Sequence, residues 1–493
     1  MSDKIVHLTI IHFNDVYEII PVSGGTLGGL ARVAALRAQL VAENPNTMVF
    51  FGGDLYNPSG IGMAVVDGER LDGKQTVATM NKVGIDYMTF GDHELNTVTR
   101  AQLDDRLAAT QSKIVSSNLF DVDGTSFTSG DTTVLEHDIF TVSNAAGDTL
   151  RVGVFGITKP IRLSKVDHVY QNRLEAATTQ VSALRDQVDF LIALTHQPIE
   201  RDQEQAAELP EIDLILGGDD HNHMYVETGA GPPIFKADSN ARSVYVLDLY
   251  YDSVSGETEI KHHLQPITDA LPDDLTTATE TTYWVDLAFD SFRRDGWEPT
   301  EIIAHAVQEL DGFEGSVRNG NTAYTDAITQ GMMRIAPGTE LAIVCSWAVR
   351  LDDSIPAGSA ITHYDLLRTF SYGNTAVYAV QMPGDLLEEV LNFGQDRVGA
   401  GWFLLTPPQV KYQDGDQDNG GERTWSIAGQ PLDQTRSYLV AMGDDLLYDC
   451  LQFINEPRSS EVVKVGTYTD ISDALIQQLR ADEQMSEQHS NTE

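Results

Sequence analysis

The sequence predicts an α/β protein of two domains, and three observations predict it. From residue 5 to about 265, apolar strands alternate with helical stretches, the pattern of open sheets covered by helices. A polar helical stretch breaks that alternation between 265 and about 300, and a second alternating unit follows. At 493 residues the chain is too long for one hydrophobic core. The boundaries are therefore 1–268 for the first domain, 269–300 for a connecting helix, 301–481 for the second domain and 482–493 for a polar, disordered tail.

The elements follow in chain order. Residues 7–13 form an apolar strand that runs to Asp15. Gly28-Gly-Leu-Ala-Arg-Val-Ala-Ala-Leu-Arg-Ala-Gln-Leu40 then sets apolar residues at helical spacing. Thr47-Met-Val-Phe-Phe-Gly-Gly-Asp54 is a second strand, and Thr76 to Gly84 a helix with a glycine stop. Tyr87-Met-Thr-Phe-Gly-Asp92-His93-Glu94 is the third strand. A helix from Leu174 to Gln187 leads into Phe190-Leu-Ile-Ala-Leu-Thr-His196, and Leu214-Ile-Leu-Gly-Gly-Asp219-Asp220-His221 is the fifth strand. Val244–Tyr251 is a strand entering a turn. Pro272-Asp-Asp opens the connecting helix, which ends near Arg294. In the second unit, 321–336 is helical, Glu340–Ser346 a buried strand and His363–Phe370 a short helix. Asn374–Met382 is a strand, 383–393 a helix, and the acidic insert 413–421 a mobile solvated loop.

Five of these strands run straight into a metal-binding side chain. In open α/β sheets ligands sit outside the carboxyl ends of the strands. A single Asp there reads better as a helix cap. Five in order, with histidines among them, point to a rim able to hold two divalent cations and to activate water. Asp54 follows two glycines, so backbone can approach an ion closely. Oxygen and imidazole donors suit Mn, Zn or Fe better than Ca.

The net charge is −42, from 74 acidic and 32 basic residues. That argues against nucleic acid and against anionic membranes as partners, and fits a solvated acidic shell. A small phosphorylated molecule is the partner expected, bound by a monomer or dimer. Two cysteines, Cys345 and Cys450, make no disulfide framework, and the apolar run around Cys345 marks it as a core residue. The N-terminus has no basic, apolar leader, and the expected location is cytoplasmic.

The ordered blocks resemble the calcineurin-like metallophosphoesterases, in the branch of the 5′-nucleotidases and UDP-sugar hydrolases. That family reads Asp-x-His, Gly-Asp, Gly-Asn-His-Glu/Asp, a lone His, then Gly-His-x-His. The second half is similar to the 5′-nucleotidase C-terminal domain: Ser346-Trp-Ala-Val-Arg350 with Ile355-Pro-Ala-Gly, and Phe370-Ser-Tyr-Gly-Asn374, match its blocks. The resemblance covers about residues 5–480. It implies a four-layer α/β/β/α metallophosphoesterase domain followed by an α/β substrate domain of the 5′-nucleotidase type. It implies a hydrolase that removes phosphate from a 5′-nucleotide or related monoester, by in-line attack of a metal-bound hydroxide. Its rivals are a phosphodiesterase or pyrophosphatase acting on cyclic nucleotides or nucleotide sugars, and a degenerate module that binds without catalysis.

The resemblance also implies roles. Asp15, Asp54 and His221 would hold one divalent ion, and Asp54, Asp92, His196 and Asp219 the other, with Mn, Zn, Fe or Mg as candidates. His93 would be the catalytic acid beside Asp92, with Glu94 orienting its ring. Asn118 would lie near the phosphate, Arg350 would bind it, and Tyr372 and Phe453 would clamp a nucleobase.

Three blocks depart from the family pattern. Asp-x-His has become Asp15-Val-Tyr17, where Tyr17 is either a hydrogen-bond donor to a ligand or, if ionised, a ligand suited to ferric iron. Gly-Asn-His has become Gly91-Asp92-His93. Gly-His-x-His has become Gly218-Asp219-Asp220-His221, unless a two-residue shift aligns His221 and His223 with the pair. Two carboxylates replacing neutral ligands make one position more anionic, which favours Mn or Mg there.

Overall fold

The computed structural model describes residues 4–161, 164–372, 375–415, 423–444, 446–447 and 456–490. Contacts divide the chain into two units, Met1–Arg294 and Asp295–Glu493.

Two six-stranded sheets form the first unit among the described residues. In chain order, β1 is Ile5–Phe13, β2 Thr47–Phe51, β3 Tyr87–Met88 and β4 Lys113–Ile114. β5 is His137–Ser143, β6 Thr149–Thr158, β7 Phe190–His196 and β8 Leu214–Gly218. β9 is Met224–Val226, β10 Ile234–Lys236, β11 Ser243–Asp252 and β12 Thr258–Pro266. One sheet has the order β12-β11-β1-β2-β3-β4, the other β5-β6-β7-β8-β10-β9. Strands β1 to β4 pair in parallel, as do β6, β7 and β8. The unbroken apolar runs of β7 and β8 are buried at every position, as central parallel strands require.

The sheets face each other. On β1, His12 Nε2 lies 2.9 Å from the Gly217 carbonyl of β8. Outside the first sheet, the helices Leu30–Glu43, Lys74–Val83 and Leu275–Arg294 pack on one another. Outside the second, the helices Arg173–Leu184 and Ile199–Glu208 bury Ala176, Val181 and Ala206 against Ile157, Leu191 and Ile215. The four-layer α/β/β/α arrangement is the one the family resemblance implies.

Three expectations are revised. The helix read as a separate connector belongs to the first unit, where Ser291 Oγ bonds both backbone groups of Val65. The first unit therefore extends to Arg294 rather than ending at 268. Residues 482–490 of the segment expected to be a disordered tail continue the helix Ile471–Ser490, and 491–493 lie outside the described residues. The helix continues because Asp482 accepts from Gln478, and Glu483 accepts from the His305 backbone N–H. Most of the acidic insert, along with Cys450 and Phe453, lies outside the described residues.

In the second unit, β13 is Leu341–Cys345, β14 Ala376–Pro383, β15 Leu404–Leu405, β16 Ser437–Met442 and β17 Val463–Asp470. They form one sheet of order β15-β13-β16-β14-β17. One face packs Ala342 and Val344 on Ile328, Met332 and Leu475 of the helices Ala323–Ile335 and Ile471–Ser490. The other face packs Ile343 and Cys345 on Leu387 and Val390 of the helix Gly384–Gln395. Among the described residues, no helix is long and apolar enough to cross a membrane.

Candidate metal centre

Strand register explains why distant residues meet. β1, β2 and β3 run in parallel and deliver Asp15, Asp54 and Asp92 beyond their carboxyl ends. In the facing sheet, Thr158 pairs with His196 and His196 with Gly218. Lys159 and Asp219 thus lie one step past the ends of the strands that flank His196. Asp15, Asp54 and Asp219 adopt positive φ values of 52°, 63° and 77°. Left-handed backbone at non-glycine residues is strained, and such strain concentrates at functional sites. Glycine makes the close approach feasible: a Cβ on Gly91 would come within 1.9 Å of Asp54 Oδ1.

The donors fall into overlapping groups: Asp15, Asp54 and His196; Asp54, Asp92 and His93; Asp92, His196 and Asp219. Within each group the ligand atoms lie within 4.8 Å of one another. His196 is fully buried, and its Nδ1 lies 2.7 Å from the Gly52 carbonyl. Its Nε2 makes no hydrogen bond. Instead it faces Asp54 Oδ2 at 3.4 Å, Asp92 Oδ1 at 3.5 Å and Asp219 Oδ1 at 3.8 Å. A buried polar atom without a hydrogen bond is costly, and oxygens standing off it at these spacings fit donors arranged around a shared cation. The donor set therefore fits divalent metal ions.

The other end of the centre is built around Tyr17. Its hydroxyl lies 3.2 Å from Asp15 Oδ1, 3.1 Å from Asp54 Oδ2 and 3.2 Å from His221 Nε2. His221 is buried, with Nε2 3.5 Å from Asp15 Oδ1. His223 instead points outward at 54% side-chain exposure and pairs with Asp238 at 3.1 Å. The ungapped alignment, with His221 at the centre, is the one the geometry favours.

Electrostatics follow from this crowding. Burial alone would raise Asp54 and Asp92. The charges of His196 and His93 at Asp54, and of Lys159 and His93 at Asp92, outweigh it and hold both below the usual carboxylate range. At Asp219 burial wins over Lys159 and shifts the carboxyl upward. For His196, burial favours the neutral ring, but Asp54 and Asp15 overcome it and shift the ring upward.

Several expected roles change. Glu94 does not orient the His93 ring through any described bond. Its carboxylate accepts the backbone N–H groups of Asp54, Leu55 and Gly91, so it fixes the loop that carries Asp54. Burial and then the Asp54 charge push it up to about 8, while the bonds from Leu55 and Gly91 oppose that rise. Asn118 is buried, and its amide engages both backbone groups of Thr158, which ties the loop after β4 to the end of β6. Arg350 in the second unit pairs with Glu314 at 2.9 Å, and its guanidinium lies 5.5 Å from the Tyr372 ring centroid. Trp347 meets the same ring edge-on at 5.9 Å.

Sequence reasoning missed four supporting residues. Asn14 donates to Asp15 Oδ2 at 2.7 Å, and Asn240 Oδ1 accepts the N–H groups of Tyr17 and Glu18. Lys236, fully buried, pairs with Asp202 at 2.9 Å and Asp220 at 2.6 Å beneath the β8 end. Lys159 pairs with Asp219 at 2.5 Å and Asp92 at 3.7 Å. The one signal, for Lys159, was a further apolar run, Arg151–Thr158, leading straight into that charged residue.

Comparison with known proteins agrees with this architecture. Residues 8–223 match the family described as calcineurin-like phosphoesterase, and residues 302–449 match the 5′-nucleotidase C-terminal domain. A trifunctional nucleotide phosphoesterase protein, YfkN of Bacillus subtilis, is 26% identical over 87% of this chain, which spans 30% of that protein's length. A 5′-nucleotidase of Vibrio cholerae is 24% identical over 79% of this chain and 76% of its own. The crystal structure of a 5′-nucleotidase precursor from Thermus thermophilus superposes with a TM-score of 0.75 at 21% identity, covering 97% of each chain.

Proposed function

We propose that the chain removes phosphate from 5′-nucleotides or related phosphomonoesters, because residues 8–223 match the calcineurin-like phosphoesterases and residues 302–449 match a 5′-nucleotidase C-terminal domain. The observation that carries this reading is the His196 Nε2, buried and without a hydrogen bond, facing three carboxylates that approach from both sheets. Asp15, Asp54, His221 and the Tyr17 oxygen are one donor set, and Asp54, Asp92, His196 and Asp219 the other, for two divalent ions. The carboxylate-rich second set favours Mn or Mg, and the first suits Mn, Zn or Fe. When bound, such ions polarise the phosphoryl group and lower the pKa of water.

The chain's own residues do the rest. Asp54 sits between both sets, held by the His93 backbone N–H at 2.9 Å on Oδ1. Glu94 keeps that loop in place. His93, 14% exposed at the edge of the cluster, is the acid that protonates the leaving oxygen or stabilises the developing charge. In the second unit, Arg350 is the phosphate-binding cation and Tyr372, 37% exposed, offers a ring for a nucleobase.

A substrate panel tests the reading. Phosphate release is measured with manganese for 5′-mononucleotides, 3′-mononucleotides, cyclic nucleotides and nucleotide sugars. The expected result is turnover of 5′-nucleotides at least about tenfold above the others. Preference for cyclic nucleotides or nucleotide sugars would replace this reading with the diesterase or pyrophosphatase one. No release with any divalent ion would remove hydrolysis altogether.

A further inference from the structure

We propose that Lys159 is a built-in competitor for the second metal position, so that the two ions of this centre bind with unequal affinity and the second is weakly held and exchangeable. The inference rests on the phosphoesterase reading and deepens it. Its basis is that one ammonium and one cation would need the same oxygens.

Lys159 Nζ lies 2.5 Å from Asp219 Oδ1 and 3.7 Å from Asp92 Oδ1. Those same two atoms, Asp219 Oδ1 and Asp92 Oδ1, are the ones His196 Nε2 faces at 3.8 and 3.5 Å. The contact is fixed by topology rather than by a flexible loop. Thr158, His196 and Gly218 are in register across β6, β7 and β8, and Lys159 and Asp219 are the next residues on the strands either side of His196.

The charge balance gives the contact its consequence. The second position gathers three carboxylates, Asp54, Asp92 and Asp219, around one imidazole. The family pattern has a neutral Asn and a neutral His where Asp92 and Asp219 stand, so this chain carries two more negative charges there, and Lys159 faces both. Without an ion, the ammonium relieves repulsion between Asp92 and Asp219. With an ion, it must leave Asp219, and its side chain, 34% exposed, has solvent to move into. Each binding event at that position therefore breaks the Lys159–Asp219 ion pair. The physical result is a second ion held more loosely than its donors alone would hold it. An alternative role for Lys159, as a support that holds Asp92 and Asp219 in place for the ion, gives the opposite sign on removal.

Manganese titration of the chelator-treated protein separates these roles without using activity. Free and bound Mn2+ are measured by equilibrium dialysis for the wild type, Lys159→Met, Lys159→Gln and Lys159→Arg. The expected wild-type result is two ions per chain with distinct affinities. Lys159→Met and Lys159→Gln should tighten the weaker affinity by at least about tenfold and move the tighter one by less than about threefold. Lys159→Arg, which keeps the charge, should leave the weaker affinity weak. If either neutral variant fails to fold, the other and the arginine variant still decide. Equal affinities in the wild type, an unchanged weaker affinity in the neutral variants, or a weakened one would overturn the proposal while leaving the phosphoesterase reading intact. No bound Mn2+ in any form, with no phosphate release, would overturn both.

Discussion

The Tyr17 hydroxyl lies within 3.2 Å of two carboxylate oxygens, from Asp15 and Asp54, and of His221 Nε2. Its single proton cannot serve both carboxylates at once, and four metal-ligating atoms at such spacing suit a shared cation. A residue that reads as a departure from its motif therefore still points an oxygen at the centre. His93 stands at the edge of the same cluster, its Nε2 3.8 Å from Asp54 Oδ2. Replacing it, His93→Asn, should lower turnover by about two to four orders of magnitude while both ions stay bound. Rate measurements with metal analysis of the same samples check this, and undiminished turnover would take His93 out of the reaction. At this scale the side chains that the structure gathers were legible in the sequence, and the contacts that support them were not. Asp15, Asp54, Asp92, His196, Asp219 and His221 were all visible as chemistry at strand ends. The work of Glu94 was not, because its partners are backbone N–H groups up to 40 residues away that only the folded loop brings together. Lys159 was overlooked because ammonium is not a metal ligand, although it sits at the same kind of strand end.

At the scale of elements, the centre depends on how β1 and β8 are pinned. His12 is buried on β1 and bonded to the Gly217 carbonyl of β8, with its other nitrogen unpartnered. Burial is the largest influence on it and pushes its pKa down to about 4 from 6.5, against the opposing bond to the Gly217 carbonyl. The folded pKa is the lower one, so His12's stabilising effect is complete above pH 6.5 and is lost as pH falls toward 4, when the unfolded chain takes up a proton that the fold refuses. The loss should be on the order of 3 kcal/mol in all. Urea unfolding of wild type and His12→Gln between about pH 7 and about pH 4.5 measures it. The wild type should lose stability more steeply than the variant, and parallel pH profiles would contradict the assignment. The strands themselves were legible because their apolar runs and turn residues announce them. The positive φ of Asp15, Asp54 and Asp219 was not, because nothing in an Asp codes for left-handed backbone. That strain is imposed by the fold and reveals itself only in the structure.

At the scale of the molecule, a chain with a net charge of −42 concentrates still more carboxylates at the rim of its first unit. Without cations that rim would repel an anionic substrate, so the acidic composition and the metal centre belong to one argument. In the second unit, Arg350, Tyr372 and Trp347 are grouped in the segments that follow β13 and the helix His363–Thr369. The alternation of elements revealed two units at once. The placement of the helix Leu275–Arg294 depended on contacts that its polar sequence concealed. The account as a whole rests on the strand-end side chains gathering around shared ions. Anomalous scattering from crystals soaked with manganese tests that directly. Two peaks should appear, one bounded by Asp15, Asp54 and His221 and the other by Asp54, Asp92, His196 and Asp219. Manganese bound elsewhere, with no peak among these residues, would contradict it.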